Sequence, residues 1–132
     1  MKTSAQRVGH WGEELAAGYL RQNGYTLLEQ NARTPFGEID LVAWQPPRDK
    51  PSEGGASIVF VEVKTRRSTA FGLPEQAVTA RKRAHMLAAA QSYLLAHPDL
   101  SGAWRIDVIA IRRARTDVPP EIVHFENAIS GE

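Results

Sequence analysis

An α/β fold is predicted for this 132-residue chain, with the order helix, three strands, helix and one or two further strands. Two stretches carry apolar residues at helical spacing, and between and after them lie short apolar runs punctuated by Gly and Pro. Those runs are apolar on both faces, which calls for helices on both sides of a sheet.

The first helix is expected over 5–23, where Val8, Trp11, Leu15 and Tyr19 fall on one stripe and Gly24 gives a stop. "YTLLEQNAR" follows as a short β-like run with Tyr25, Leu27 and Leu28. Pro35 and Gly37 then mark a turn before a strand through Ile39, Leu41 and Ala43. Residues 45–57, "QPPRDKPSEGGAS", hold three prolines and two glycines, and read as a long exposed hairpin loop. A strand is expected over 58–65. A loop with Gly72 and Pro74 leads from it to a second helix over about 80–96, with Thr79 as N-cap and Pro98 beyond its end. Ala84, Leu87, Ala88, Ala89, Ala90, Tyr93, Leu94 and Leu95 would give that helix a broad apolar face. "WRIDVIAI" at 104–111 reads as a strand and "IVHF" at 122–125 as a short edge strand. The first three strands suit an antiparallel meander, and the second helix suits a crossover to a parallel fourth strand.

Length fits one domain, 1–132. With 42% hydrophobic and 23% charged residues, wholesale disorder is excluded. The absence of cysteine excludes disulfides, thiolate metal sites and cysteine nucleophiles. The N-terminal segment lacks a continuous apolar core of the secretory type, and no run approaches the roughly 18 apolar residues of a membrane span. A cytoplasmic protein without membrane partners is the expectation. Net charge is only +1, yet Lys64, Arg66, Arg67, Arg81, Lys82 and Arg83 are six of the 16 basic residues. Such clustering can build a basic face on a nearly neutral protein, or simply solvate one side of a helix.

The strand "VFVEVKTRR" poses the chemical question. Alternation puts Glu62 and Lys64 on one face with Ile58 and Phe60, and Val59, Val61 and Val63 on the other. Charges withdrawn from water need a partner or a ligand. Glu62 and Lys64 could pair with each other, but Asp40 repeats the anomaly in the preceding strand, and a hairpin would bring it toward Glu62. Two carboxylates held close stay ionised together only around a cation. Mg²⁺ takes hard oxygen ligands and keeps waters, so one or two carboxylates plus phosphate oxygens would suffice. Lys64 could then orient the nucleophile or stabilise the transition state. His10, His85, His97 and His124 show no metal-ligand spacing, although His10 lies near Glu13. Asp107 reads as half of an ion pair with Arg105 that braces the sheet. Trp11, Trp44 and Trp104 read as packing residues.

The combination of "GEIDLVAW" with "FVEVKTR" resembles the PD-(D/E)xK nuclease superfamily. The succession "GEELAAGYL", "GYTLLEQNAR", "GEIDLVA", "VFVEVKTR" and "WRIDVIAI", covering roughly residues 8–112, is similar to the YraN family of small bacterial endonuclease-like proteins. That resemblance implies a restriction-endonuclease-like αβββαβ core, a mixed sheet flanked by helices, with likeness to archaeal Holliday-junction resolvases. It implies Asp40 and Glu62 as metal-binding carboxylates, Lys64 as the catalytic lysine, and Glu13 as a third metal-binding acid. Periodicity alone leaves Glu13 and Glu14 equivalent, since both lie off the apolar stripe. Gly37-Glu38 stands before the Asp in place of a literal Pro-Asp. Gln76 lies where some superfamily nucleases place a supporting glutamine, and reads equally as a loop or helix-start residue. The implied function is Mg²⁺- or Mn²⁺-dependent phosphodiester hydrolysis of DNA, including branched DNA, with Arg33, Arg66, Arg67, Arg81, Lys82 and Arg83 on the nucleic-acid backbone. A homodimer follows by analogy with the resolvases. The alternative is a non-catalytic nucleic-acid-binding or protein-interaction module that retains the fold.

Overall fold

Thr3 closes the front of the first helix. Its Oγ1 accepts a hydrogen bond from the Gln6 N–H at 3.1 Å, and Gln6 Oε1 accepts one from the Thr3 N–H at 2.8 Å, a reciprocal cap. The computed structural model describes residues 3–50, 52, 54–66, 79–113 and 117–129. Helix α1 spans Ser4–Gln22, followed by strands β1 (Thr26–Thr34), β2 (Gly37–Gln45) and β3 (Ser57–Arg66). Helix α2 (Ala80–Ala96), β4 (Trp104–Arg112) and β5 (Glu121–Ile129) complete the order. The succession is therefore αβββαβ with a fifth strand added, as the sequence predicts. Thr79 caps α2, its Oγ1 accepting from the Lys82 N–H at 3.1 Å.

The sheet order is β1-β2-β3-β4-β5. Strands β1, β2 and β3 form the expected antiparallel meander, β4 lies parallel to β3, and β5 runs antiparallel to β4. Helix α1 covers one face, where Ala16, Ala17 and Leu20 pack on Leu41, Ala43, Val59, Val61, Ile109 and Ile111. Helix α2 covers the other, with Ala89, Ala90 and Tyr93 against Val42, Ile58, Phe60 and Ile106. Both helices thus meet the sheet largely through alanines, which lets their backbones approach it closely. Gly12 takes this furthest, because a Cβ there would overlap Oγ1 of Thr65 on β3.

Three expectations are corrected. The Val8–Trp11–Leu15–Tyr19 stripe packs on the core through Trp11, Leu15 and Tyr19, but as the flank of the buried face of α1; the centre of that face is the line through Gly12, Ala16, Ala17 and Leu20. The apolar face of α2 is narrower than expected, with Ala84 exposed and Leu95 84% exposed. Strand β5 is nine residues long, not four. Its pairing with β4 shifts between Ile106 and Val108, and Asn127 there has a left-handed φ of 51°, which hides the strand period in the sequence. The Gly72–Pro74 loop lies outside the described residues.

Candidate functional site: a carboxyl pair between two lysines

Strands β2 and β3 pair from Gln45 opposite Ser57 to Leu41 opposite Val61. Asp40 and Glu62 stand at the next positions, beyond the end of that ladder. Opposed positions carry side chains on the same face, about 5 Å apart at Cβ, so the two acids converge. In place of a ladder bond, Asp40 Oδ2 accepts the Val63 N–H at 2.8 Å. A side chain thus substitutes for backbone where the two strands part.

The electrostatics follow from this crowding. The Asp40 carboxyl is pushed up to about 7, first by burial and then by repulsion from Glu62, with the Glu13 charge and a hydrogen bond shared with Glu62 adding to the rise. The Val63 N–H opposes it. Glu62 Oε1 receives two ammonium groups, Lys64 Nζ at 3.1 Å and Lys82 Nζ at 3.0 Å. Burial and the neighbouring Lys82 hold Lys64 below the usual lysine range, against the pull of Glu62. Burial disfavours the Lys82 charge as well, yet Lys64, Glu62 and Asp40 outweigh it and raise that group.

Glu13 approaches from α1. It is three, four and seven positions before Ala16, Ala17 and Leu20, so it extends the buried face while Glu14 points to solvent. The structure therefore separates two residues that periodicity had left equivalent. Asn31, at a left-handed φ of 54° in β1, turns its amide nitrogen to Glu13 Oε2 at 3.0 Å and to Glu38 Oε1 at 2.8 Å. Burial raises the Glu13 pKa and Glu38 adds to it, while Asn31 and His10 pull the other way. Sequence reasoning missed Asn31 and the part of Glu38. An asparagine inside a β-like run, a residue type that tolerates left-handed backbone, was the available signal.

A cleft of about 470 Å³ opens beside the carboxyl pair. Its polar wall includes Glu38, Asp40 and Glu62; Arg81, Lys82 and His85 of α2 form the opposite rim; Ile39, Phe60, Met86, Ala89 and Ile106 supply apolar surface. His85 was also missed, having no partner at a recognisable spacing. Arg81 and Lys82 line this cleft, and Arg83 is exposed outside its lining. Arg33 is exposed on β1 opposite Glu38, near the β1–β2 turn. The side chain of Arg66, and the whole of Arg67 and Gln76, lie outside the described residues.

Two adjacent carboxylates that resist joint ionisation fit a hard divalent ion, whose charge would relieve the repulsion that raises Asp40. Among the described residues no three His, Asp or Glu side chains are grouped to hold an ion, and Glu13 is engaged by Asn31. The fit therefore rests on Asp40 and Glu62.

A second polar cluster lies on the α1 side of the sheet. Fully buried Asp107 accepts Arg105 Nε at 2.9 Å, the Asn127 N–H at 2.8 Å and a contact with His124 Nε2 at 2.7 Å. Burial alone would raise its pKa, but these partners hold it below the ordinary carboxylate range. Arg105 also reaches Tyr25 Oη at 3.0 Å and Gln45 Oε1 at 2.5 Å. Asp107 is the sheet brace that its pairing with Arg105 predicted.

Among the described residues, no helix is long and apolar enough to cross a membrane. The model of Uncharacterised protein family UPF0102 matches residues 12–111. A UPF0102 protein of Syntrophomonas wolfei is 49% identical over 123 residues, 93% of this chain and 97% of its own. One of Syntrophotalea carbinolica is 45% identical over 121 residues, 92% of this chain and 89% of its own. One of Dehalococcoides mccartyi is 36% identical over 132 residues, spanning both chains completely.

Proposed function

The chain belongs to the UPF0102 family, the YraN-type group its motifs resemble, and for it we propose a metal-dependent endonuclease-like activity on nucleic acid, principally DNA. One observation carries the reading: Asp40, raised to about 7 by burial and then by Glu62, lines a cleft together with Glu62, whose carboxylate holds Lys64 and Lys82. A perturbed carboxyl beside a second carboxylate and cations in a cleft is the kind of arrangement in which working sites concentrate, and it supports this reading. The PD-(D/E)xK resemblance supports the same assignment.

In this proposal Asp40 and Glu62 would hold Mg²⁺ or Mn²⁺, with Glu13 adding negative charge behind them. When bound, the ion supplies water activation and neutralises charge developing on the phosphate. Lys64, an ammonium held beside Glu62, is suited to orient the attacking water and to stabilise the charge that develops in the transition state. Arg81 and Lys82 would take the phosphates on either side, and Arg33, Arg66, Arg67 and Arg83 would extend the backbone contacts. Cutting of branched DNA by two copies, and a cytoplasmic location, belong to the same proposal.

The test is a cleavage panel of single-stranded, duplex, flap and four-way DNA plus RNA, with Mg²⁺ and Mn²⁺, in protein free of host nucleases. Metal-dependent cleavage that disappears in Asp40→Ala and in Lys64→Ala is expected. The same rate in Asp40→Ala overturns the assignment.

A second reading, a binding module without catalysis, is favoured by one feature: Glu62 already has both lysines on one oxygen, so its charge is met internally. Calorimetric titration with Mn²⁺ separates the two. Heat that is lost in Glu62→Ala supports the enzyme, and no heat from the intact protein supports the module.

A further inference from the structure

Resting on the nucleic-acid reading above, we propose that the cleft beside Asp40 and Glu62 takes an unpaired base of the substrate strand, stacked on Phe36. Phe36 is 52% exposed at the tip of the β1–β2 turn and forms one lip of the cleft. Its place is fixed locally: its N–H donates to Thr34 Oγ1 at 3.1 Å, and that hydroxyl donates to the Gly37 carbonyl at 2.7 Å. Gly37 holds a φ of 129°, which a side-chain-bearing residue adopts only under strain. The turn therefore presents an aromatic ring to solvent on a tied backbone.

Beneath that lip the cleft is apolar, through Ile39, Met86 and Ala89. A site that bound only phosphates would have no use for such a surface. A flat apolar group, flanked by an anion for Arg81 and Lys82, fits both parts of the lining. A nucleotide has this composition, and the cleft's size falls within the roughly 300–1,000 Å³ of small-molecule sites. In a continuous duplex the bases are stacked and paired, so reaching this floor would require extruding one. An already unpaired nucleotide avoids most of that penalty. The cleft thus selects single-stranded segments, or the unpaired positions of flaps and branches, next to the carboxyl pair.

Fluorescence anisotropy in EDTA tests this without any cleavage. The probes are a labelled single-stranded oligodeoxynucleotide, its blunt duplex, and a strand of the same length made of abasic sites. The intact protein should bind the ordinary strand at least about tenfold tighter than either of the others, as loss of base stacking predicts. Phe36→Ala should weaken single-strand binding roughly 5- to 100-fold and leave duplex binding unchanged, whereas Phe36→Trp should retain the preference. Equal binding of the three probes, or single-strand binding unchanged in Phe36→Ala, overturns the proposal even if Asp40-dependent cleavage is found. A preserved single-strand preference with no metal-dependent cleavage keeps the base site and rejects the nuclease. No binding to any probe rejects the base site and its nucleic-acid premise together.

Discussion

Replacing Asp40 by Asn should stabilise the metal-free protein near neutral pH, with an effect that shrinks as the pH falls toward about 4. In the folded chain the Asp40 carboxyl titrates at about 7, against an ordinary value of 3.8. Between those values the native state keeps a proton that the unfolded state has released. Stability therefore falls as pH rises through this window, at up to about 1.36 kcal/mol per pH unit. Over about three units that sets a ceiling of roughly 4 kcal/mol, and electrostatic coupling of Asp40 to the charges around it reduces this to roughly 2–4 kcal/mol. Asparagine removes the charge but can still accept the Val63 N–H and donate to Glu62. Urea unfolding in EDTA from pH 5 to 8 is the assay. The variant's advantage should grow with pH, reaching roughly 2–4 kcal/mol by about pH 8. Asp107 does not confuse the result, because its pKa is depressed and its contribution is lost only below the ordinary carboxylate range. An advantage that does not change with pH, or a variant less stable at pH 8, would refute the reasoning.

Gly12→Ala should destabilise by about 1–3 kcal/mol despite alanine's better helix propensity, because its Cβ meets Thr65. Adding Thr65→Ala should restore part of the loss in the urea midpoint. Asp107→Ala should cost about 3–5 kcal/mol in the same assay, leaving Arg105 buried without its main partner; a loss under about 1 kcal/mol would show that Asp107 is no brace. Lys82→Gln should tighten Mn²⁺ binding about 2- to 5-fold in calorimetry, since that ammonium competes for Glu62 Oε1. Unchanged affinity would place Lys82 outside the ion's competition.

The parts of this molecule set by short-range chemistry were legible in the sequence. Thr79 is the α2 cap because its hydroxyl serves a donor three residues on, and the Asp40–Glu62 approach follows from hairpin register. The parts set by distant neighbours were not. The buried face of α1 is decided by how closely Gly12 can approach Thr65, which no helical wheel contains. Asn31 gains its meaning from Glu13 and Glu38, on two other elements, and Asn127 from Asp107, twenty residues earlier. His85 joins the site only because the first turns of α2 line the same cleft as Asp40 and Glu62.

The parallel pairing of β3 with β4 also bears on the chain's biogenesis. Ile58 finds Trp104 as its partner, so β3 waits for the whole crossover helix and the next strand before that edge is covered. During synthesis "SIVFVEV" is an exposed, strongly apolar edge of the kind that recruits other chains into aggregates. Glu62 and Lys64 interrupt it at alternate positions, as charged gatekeepers do in aggregation-prone segments. The two residues proposed for chemistry therefore also carry charge within the most apolar strand, and a variant that neutralises both should yield less soluble protein on expression than the intact chain.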